Sequence, residues 1–103
     1  LQRPSCFPTA PADTLAALDA LVAARERERP QGRYTTRLFD GGVRGIAQKV
    51  GEEGVETALA GVVQDDEALL GASADLLFHL IVLLRARGLS LDDAKRVLEA
   101  RRG

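Results

Sequence analysis

The sequence holds a single cysteine, Cys6, and neither methionine nor tryptophan. One thiol excludes an internal disulfide framework and any zinc site built from several cysteines of this chain. Aromatic residues make up only 4%, one tyrosine and three phenylalanines, too few for the stacking platforms that hold single-stranded nucleic acid. An excess of one charge is lacking too: 14 Lys and Arg stand against 15 Asp and Glu, a net charge of −1. No basic field therefore points to a nucleic-acid partner. The longest apolar run, 76–84, is interrupted by His79. It is too short to span a bilayer, so no membrane partner is expected. The opening Leu1-Gln2-Arg3-Pro4-Ser5-Cys6 shows neither a charged region followed by an apolar one nor a cleavage signal. The expectation is a soluble cytoplasmic domain. With no initiator methionine, it is expected to be a processed product or a piece of something longer.

What is present is ordinary for a globular protein: 103 residues, 46% hydrophobic and 28% charged. A chain of this size forms one domain and buries roughly two-thirds of its unfolded surface. Three of the four prolines, Pro4, Pro8 and Pro11, fall within 1–12, where no apolar period runs. That segment reads as a linker or tail, and 13–103 as the domain. Thr14 is placed to cap a helix over 14–29, in which Leu15, Leu18, Leu21, Val22 and Ala24 recur at helical spacing. Pro30 and Gly32 end it. A short helical piece over 34–39 leads to a turn at Asp40-Gly41-Gly42. A long helix over 43–64 follows, with Ile46, Ala47, Val50, Ala58 and Val62 as its apolar stripe. Gly51, Gly54 and Gly61 weaken that helix by about 1 kcal/mol each relative to alanine, which predicts the close approach of a neighbour or a ligand. After Asp65-Asp66, a helix over 67–87 is apolar on nearly every face, so it belongs in the middle of a bundle or at a subunit interface. Gly88 closes it, and Ser90-x-x-Asp93 opens the last helix as a capping box. No hairpin signal and no period-two alternation occurs. The fold class is all-α, a bundle of four to five helices.

At about 100° per residue, Lys49, Glu52, Glu53 and Glu56 share one stripe of the long helix. On the next helix Asp75 stands alone among apolar residues, with Ala72 and His79 on its face. A carboxylate among leucines costs several kcal/mol unless it is paired or bound to a metal. Two antiparallel helices joined by a short turn bring Asp75 against the Glu53/Glu56 stripe. Carboxylates converging there need a cation, and oxygen-only ligands select a hard divalent ion, Mg²⁺ or Mn²⁺. Three plainer readings stand beside this one. The glutamates can form a solvated face, Asp75 can pair with Arg44 or Lys49, and His79 can be a core histidine.

The run Tyr34-Thr35-Thr36-Arg37-Leu38-Phe39, then Gly45-Ile46-x-x-Lys49-Val50-Gly51-Glu52-Glu53-x-x-Glu56, resembles phosphoribosyl-ATP pyrophosphatase. So does Ala74-Asp75-Leu76-Leu77-Phe78-His79-Leu80, followed by Arg87-Gly88-Leu89-Ser90-Leu91-Asp92-Asp93. This family of histidine biosynthesis belongs to the all-α nucleoside-triphosphate pyrophosphohydrolases, and the likeness covers 33–99 with all blocks in order. The resemblance implies Mg²⁺-dependent hydrolysis of phosphoribosyl-ATP to phosphoribosyl-AMP and pyrophosphate by a homodimer. By position it implies Glu53, Glu56 and Asp75 as metal ligands, and Glu52 as a further ligand or the base that orients water, with Glu53 also catalytic. Arg37 and Lys49 would contact phosphate, and His79 would sit beside the acids as a substrate-binding residue.

Ala72 departs from the pattern, since the family's second acidic pair has the form Glu-x-x-Asp. It stands where a fourth metal ligand is expected, so impaired activity is anticipated. The segment Arg3-Pro4-Ser5-Cys6-Phe7 is similar to the end of phosphoribosyl-AMP cyclohydrolase. That implies an upstream cyclohydrolase domain, with Cys6 stranded from its zinc partners. Three rival functions remain on the sequence alone: a house-cleaning nucleotide pyrophosphohydrolase, a non-catalytic helical dimerisation module, and an assembled but disabled enzyme.

Overall fold

A computed structural model describes residues 10–102, with side chains from residue 14 onward. Four helices follow in order: α1 (Ala10–Glu28), α2 (Tyr34–Val63), α3 (Asp66–Ala86) and α4 (Leu91–Arg101). No strand occurs among the described residues. The similarity of Arg3–Phe7 to a cyclohydrolase terminus, and Cys6 with it, lies outside the described residues.

The α1 helix begins at Ala10, so the proposed linker ends three residues early and Thr14 lies inside the helix rather than at its cap. Pro11 is compatible with a helix's first turn, where its missing N–H has no intrahelical role. At the other end Arg29 takes a left-handed backbone, φ 46°, and Gly32 follows at φ 82°. The buried Thr36 pins this link by donating from Oγ1 to the Pro30 carbonyl at 2.8 Å.

The expected turn at residues 40–42 is a bend within α2. Gly42, at φ 86° and ψ 172°, is non-helical and divides α2 into two helical pieces that meet at a kink, as the turn signal predicts. Only glycine adopts that backbone without strain. The bend turns the 34–41 segment across α3, so that Tyr34 meets Phe78 and His79.

Val22 of α1, Phe39 and Ile46 of α2, Ile81 and Val82 of α3, and Leu91 form the core, with Leu15, Leu18, Leu38 and Phe78 packed against it. The expected stripe of α2 is corrected: Ala47 and Ala58 are exposed and Val62 is 82% exposed. The buried residues are instead Ile46, Glu53 and Ala60, seven apart, with the half-buried Val50 and Thr57 between them. That is the seam of two helices crossing at a shallow angle. Two of its five residues are polar, which hid it from a reading by hydrophobicity.

The α3 helix lies against α1 and α2 and buries His79, Ile81 and Val82. It is not surrounded, since Leu70 is 69% exposed and Leu77 is also exposed. The 76–84 run understated its length: all 21 residues of α3 form a helix long and apolar enough, by length and composition, to cross a membrane.

The glycines do not mark a close approach within the chain. A Cβ added at Gly51 or Gly54 would meet nothing within 4 Å, and at Gly61 only Leu69 Cδ1 at 3.7 Å. Gly51→Ala is therefore expected to raise stability by about 0.5–1 kcal/mol in urea unfolding, because it restricts the unfolded chain without a clash. A loss instead would mean that another surface packs on this position.

One buried carboxylate joins three helices. Asp19 of α1 accepts from Arg85 Nε of α3 at 2.8 Å and from the backbone N–H of Leu91, at the start of α4, at 3.2 Å. The hydrogen bond to Asp19 raises the Arg85 pKa above its ordinary value, against the opposing effect of burial. Ser90 and Asp93 complete the expected capping box of α4. The Asp93 carboxyl is held below the usual range first by the Ser90 backbone N–H and then by Arg96. Asp19→Ala should cost about 1–3 kcal/mol in urea unfolding, because it strips a buried N–H of its acceptor. Asp19→Asn, which keeps an acceptor for Leu91, should cost less; equal losses would mean that the Leu91 bond contributes nothing.

Candidate active-site groove

Helices α2 and α3 are joined by only Gln64 and Asp65. The Asp65 side chain accepts from the Ala68 N–H at 2.9 Å, satisfying one of the free donors at the start of α3. Asp66 and Glu67 complement the helix dipole in the same turn. The tight turn makes the helices antiparallel, and Thr57 joins them again farther along. Its hydroxyl lies 2.8 Å from the Glu53 carbonyl and 3.2 Å from the Ala72 carbonyl across the seam.

Between the two helices runs a groove of about 260 Å³. Glu56, Leu59, Ala60 and Gln64 line it from α2 and the turn, and Ala68, Ala72 and Asp75 from α3. Two of the three expected metal carboxylates, Glu56 and Asp75, thus face one space. Neither carboxylate has an ion-pair or hydrogen-bond partner among the described residues. The alternative of a pair between Asp75 and Arg44 or Lys49 is not realised.

Glu53 does not join them in the groove lining. It is 7% exposed on the seam, with Lys49 Nζ at 3.9 Å. Three positions along a helix rotate a side chain about 60° from its neighbour's direction, which turns Glu53 into the seam and leaves Glu56 facing the groove. Among the described residues no three His, Cys, Asp or Glu side chains stand close enough to hold a metal ion. Ala72 lines the same groove as the two free carboxylates, three residues before Asp75. Glu52 lies outside the groove, 3.7 Å from Lys49 Nζ and accepting from Gln48 Nε2 at 3.1 Å. Lys49 is thus occupied by two glutamates. Arg37 lies over the exposed Tyr34 ring, 5.6 Å from its centroid, and lines no part of the groove.

His79 is a core histidine. It is 5% exposed, its Nδ1 lies 2.7 Å from the Asp75 carbonyl and its Nε2 2.9 Å from the Tyr34 hydroxyl. A carbonyl only accepts, so the proton resides on Nδ1 and Nε2 accepts from Tyr34. Both ring nitrogens are satisfied internally, and the ring holds Tyr34. Thr57 and Gln64 were missed in the sequence, and Tyr34, part of the run that carries the resemblance, was given no role there. Gln64 was legible, since Glu56, Ala60 and Gln64 follow one another at i, i+4 and i+8.

Residues 15–102 match the family model described as phosphoribosyl-ATP pyrophosphohydrolase. The chain belongs to that family. It is 75% identical over 101 residues to the histidine biosynthesis bifunctional protein HisIE of Xanthomonas axonopodis pv. citri, covering 98% of this chain and 49% of that protein. It is 78% identical, with the same coverage, to HisIE of Xylella fastidiosa strain Temecula1. A phosphoribosyl-ATP pyrophosphatase of Erythrobacter litoralis is 47% identical over 91 residues, 88% of each chain. The chain therefore spans about half the length of the bifunctional relatives and most of the single-domain one. Membership in a phosphoribosyl-ATP pyrophosphohydrolase family makes the domain a hydrolase and disfavours the reading as a mere dimerisation module.

In this pyrophosphohydrolase domain the Tyr34–His79 bond is the link between the bent start of α2 and the turn of α3 that follows Asp75. Tyr34→Phe removes the donor and leaves a buried imidazole nitrogen unsatisfied. The expected loss is about 1 kcal/mol in urea unfolding, with the ¹⁵N shifts of His79 showing altered hydrogen bonding at Nε2 while Nδ1 stays protonated. Unchanged shifts would refute the bond.

Proposed function

We propose that this domain hydrolyses phosphoribosyl-ATP between its α and β phosphates, adding water to give phosphoribosyl-AMP and pyrophosphate in histidine biosynthesis. The observation that supports the reading is the groove between α2 and α3, with the partner-free carboxylates of Glu56 and Asp75 facing one space in a chain of this family. Pyrophosphate release is the class of chemistry in which acidic residues meet polyphosphate through a divalent cation. Mg²⁺ is commonly bound by one or two carboxylates together with substrate phosphates and water, so two free carboxylates fit an ion that arrives with its nucleotide. Mn²⁺ fits the same donors. When bound, the ion would neutralise phosphate charge and acidify a water. Glu56 and Asp75 are the proposed ligands and Glu53 the proposed further acid, with Glu52 the proposed base that orients water. Lys49 and Arg37 are the proposed phosphate contacts.

The proposal extends to the assembly. The α2–α3 hairpin exposes Val55, Val62, Val63 and Leu70, and Leu59 at the wall of the groove, an apolar surface of the kind a second copy covers. A homodimer is proposed on that basis. HisIE relatives twice as long as this chain support a cyclohydrolase domain upstream, and a biosynthetic role supports a cytoplasmic location.

One observation favours a second reading, a weakened member of the family. Ala72 occupies the groove wall shared by Glu56 and Asp75, where a carboxylate would complete a set of three. The deciding experiment is a pyrophosphate-release assay on phosphoribosyl-ATP with Mg²⁺, comparing this chain with Ala72→Glu, Glu56→Gln and Asp75→Asn. The glutamine and asparagine variants should lose at least about a hundredfold in kcat/KM, and chelation should abolish release. A large gain in Ala72→Glu establishes the weakened-enzyme reading, and equal rates make Ala72 a tolerated residue. Silence from both this chain and Ala72→Glu would sink the hydrolase proposal.

A further inference from the structure

The two ends of the groove differ in chemistry. Along α2, Glu56, Ala60 and Gln64 follow at intervals of four, and along α3 Asp75, Ala72 and Ala68 descend beside them in the opposite direction. The carboxylates therefore stand at one end and the Gln64 carboxamide at the other, two helical turns or about 12 Å apart. Methyl groups and Leu59 form the walls between them. Gln64 contributes the one uncharged side chain in the lining that both donates and accepts hydrogen bonds. Its backbone is anchored at the end of α2, N–H to the Ala60 carbonyl at 3.1 Å, while its carboxamide has no partner among the described residues.

We infer that Gln64 is a specificity-determining residue that reads the 6-nitrogen and N7 edge of the substrate's adenine, with the phosphates lying at the Glu56/Asp75 end. This rests on the hydrolase reading proposed above and names how the same groove selects its base. The 12 Å separation matches the reach of a nucleotide from base edge to phosphate. A carboxamide is the side chain that pairs in bidentate fashion with that edge, its oxygen accepting from the 6-nitrogen and its NH₂ donating to N7. The walls suit a flat base as well: small alanine side chains leave a slot whose faces are apolar, so the base is held by contact area and oriented by one polar group.

The test uses phosphoribosyl-ATP and its 7-deaza analogue, in which N7 is replaced by C–H, with this chain, Ala72→Glu, and Gln64→Leu in both backgrounds. Binding is followed by calorimetry and turnover by pyrophosphate release. Because Gln64 is exposed, an unchanged thermal midpoint serves as the folding control. The natural nucleotide should bind roughly 5- to 100-fold more tightly than the 7-deaza analogue. Gln64→Leu should weaken the natural nucleotide by a similar factor and erase the preference. A preference that survives Gln64→Leu overturns the inference, as does its absence in this chain. Discriminating binding without turnover in either this chain or Ala72→Glu would uphold Gln64 while removing the hydrolase reading, and turnover without discrimination would do the reverse. Failure of both nucleotides to bind overturns both.

Discussion

The two-residue connection Gln64–Asp65 fixes how α2 and α3 lie against each other, and the site depends on that register. Asp65 caps α3, so the helix cannot begin a residue earlier or later without losing the bond. Thr57 then meets Ala72 across the seam. A shift of one residue along either helix would rotate its side chains by about 100° and separate Glu56 from the wall that holds Asp75. The bend at Gly42 is the second constraint. It returns the first two turns of α2 across α3, where Tyr34 closes onto the buried His79. A straight α2 would carry Tyr34 away from that partner.

The parts of the fold legible in the sequence are those governed by local chemistry. Ser90 and Asp93 announce a cap because both reciprocal bonds are made within four residues, and glycines at positive φ mark the ends and the bend. The all-α class follows from the apolar period alone. The face that α2 buries was not legible, since Glu53 and Thr57 occupy core-facing seam positions and what burial makes of a polar residue depends on the helix opposite. For the same reason three carboxylates that share a stripe in the sequence divide in the structure. Glu56 turns to the groove and Glu53 to the seam and Lys49. His79 illustrates the converse, for neither of its hydrogen-bond partners, the Asp75 carbonyl and the Tyr34 hydroxyl, can be inferred from the residue type. Tyr34 lies 45 positions away.

Packing and function are distributed unevenly along the hairpin. The fully buried residues Ile46, Ile81, Val82 and Val22 lie at the end where α1 and α4 contribute. Asp19 there holds α3 and α4 to α1. Toward the turn, Leu59, Val62, Val63 and Leu70 remain open to solvent. Covering one such side chain is worth about 1.5–3 kcal/mol, and a domain of this kind is stable by only roughly 5–15 kcal/mol. A second copy seated on that face would therefore change the stability of the groove end far more than that of the core end. Binding sites are commonly drawn from the less firmly packed parts of a fold, and here the groove occupies such a part.

Electrostatics points the same way. Glu56 and Asp75 face one space with no cation among the described residues to compensate them, while the amine on the stripe, Lys49, is held by Glu52 and Glu53. Two like charges across a narrow groove repel each other, and a nucleotide polyphosphate alone would add to that repulsion. A polyphosphate carrying a divalent cation reverses the sign of the interaction, which is why the proposed substrate is paired with an ion. With alanine at position 72 the chain supplies two acidic ligands at most from this wall, and the phosphates have to supply much of the rest. On the proposed reading, affinity for the free ion and affinity for the ion-bearing nucleotide are then separate quantities.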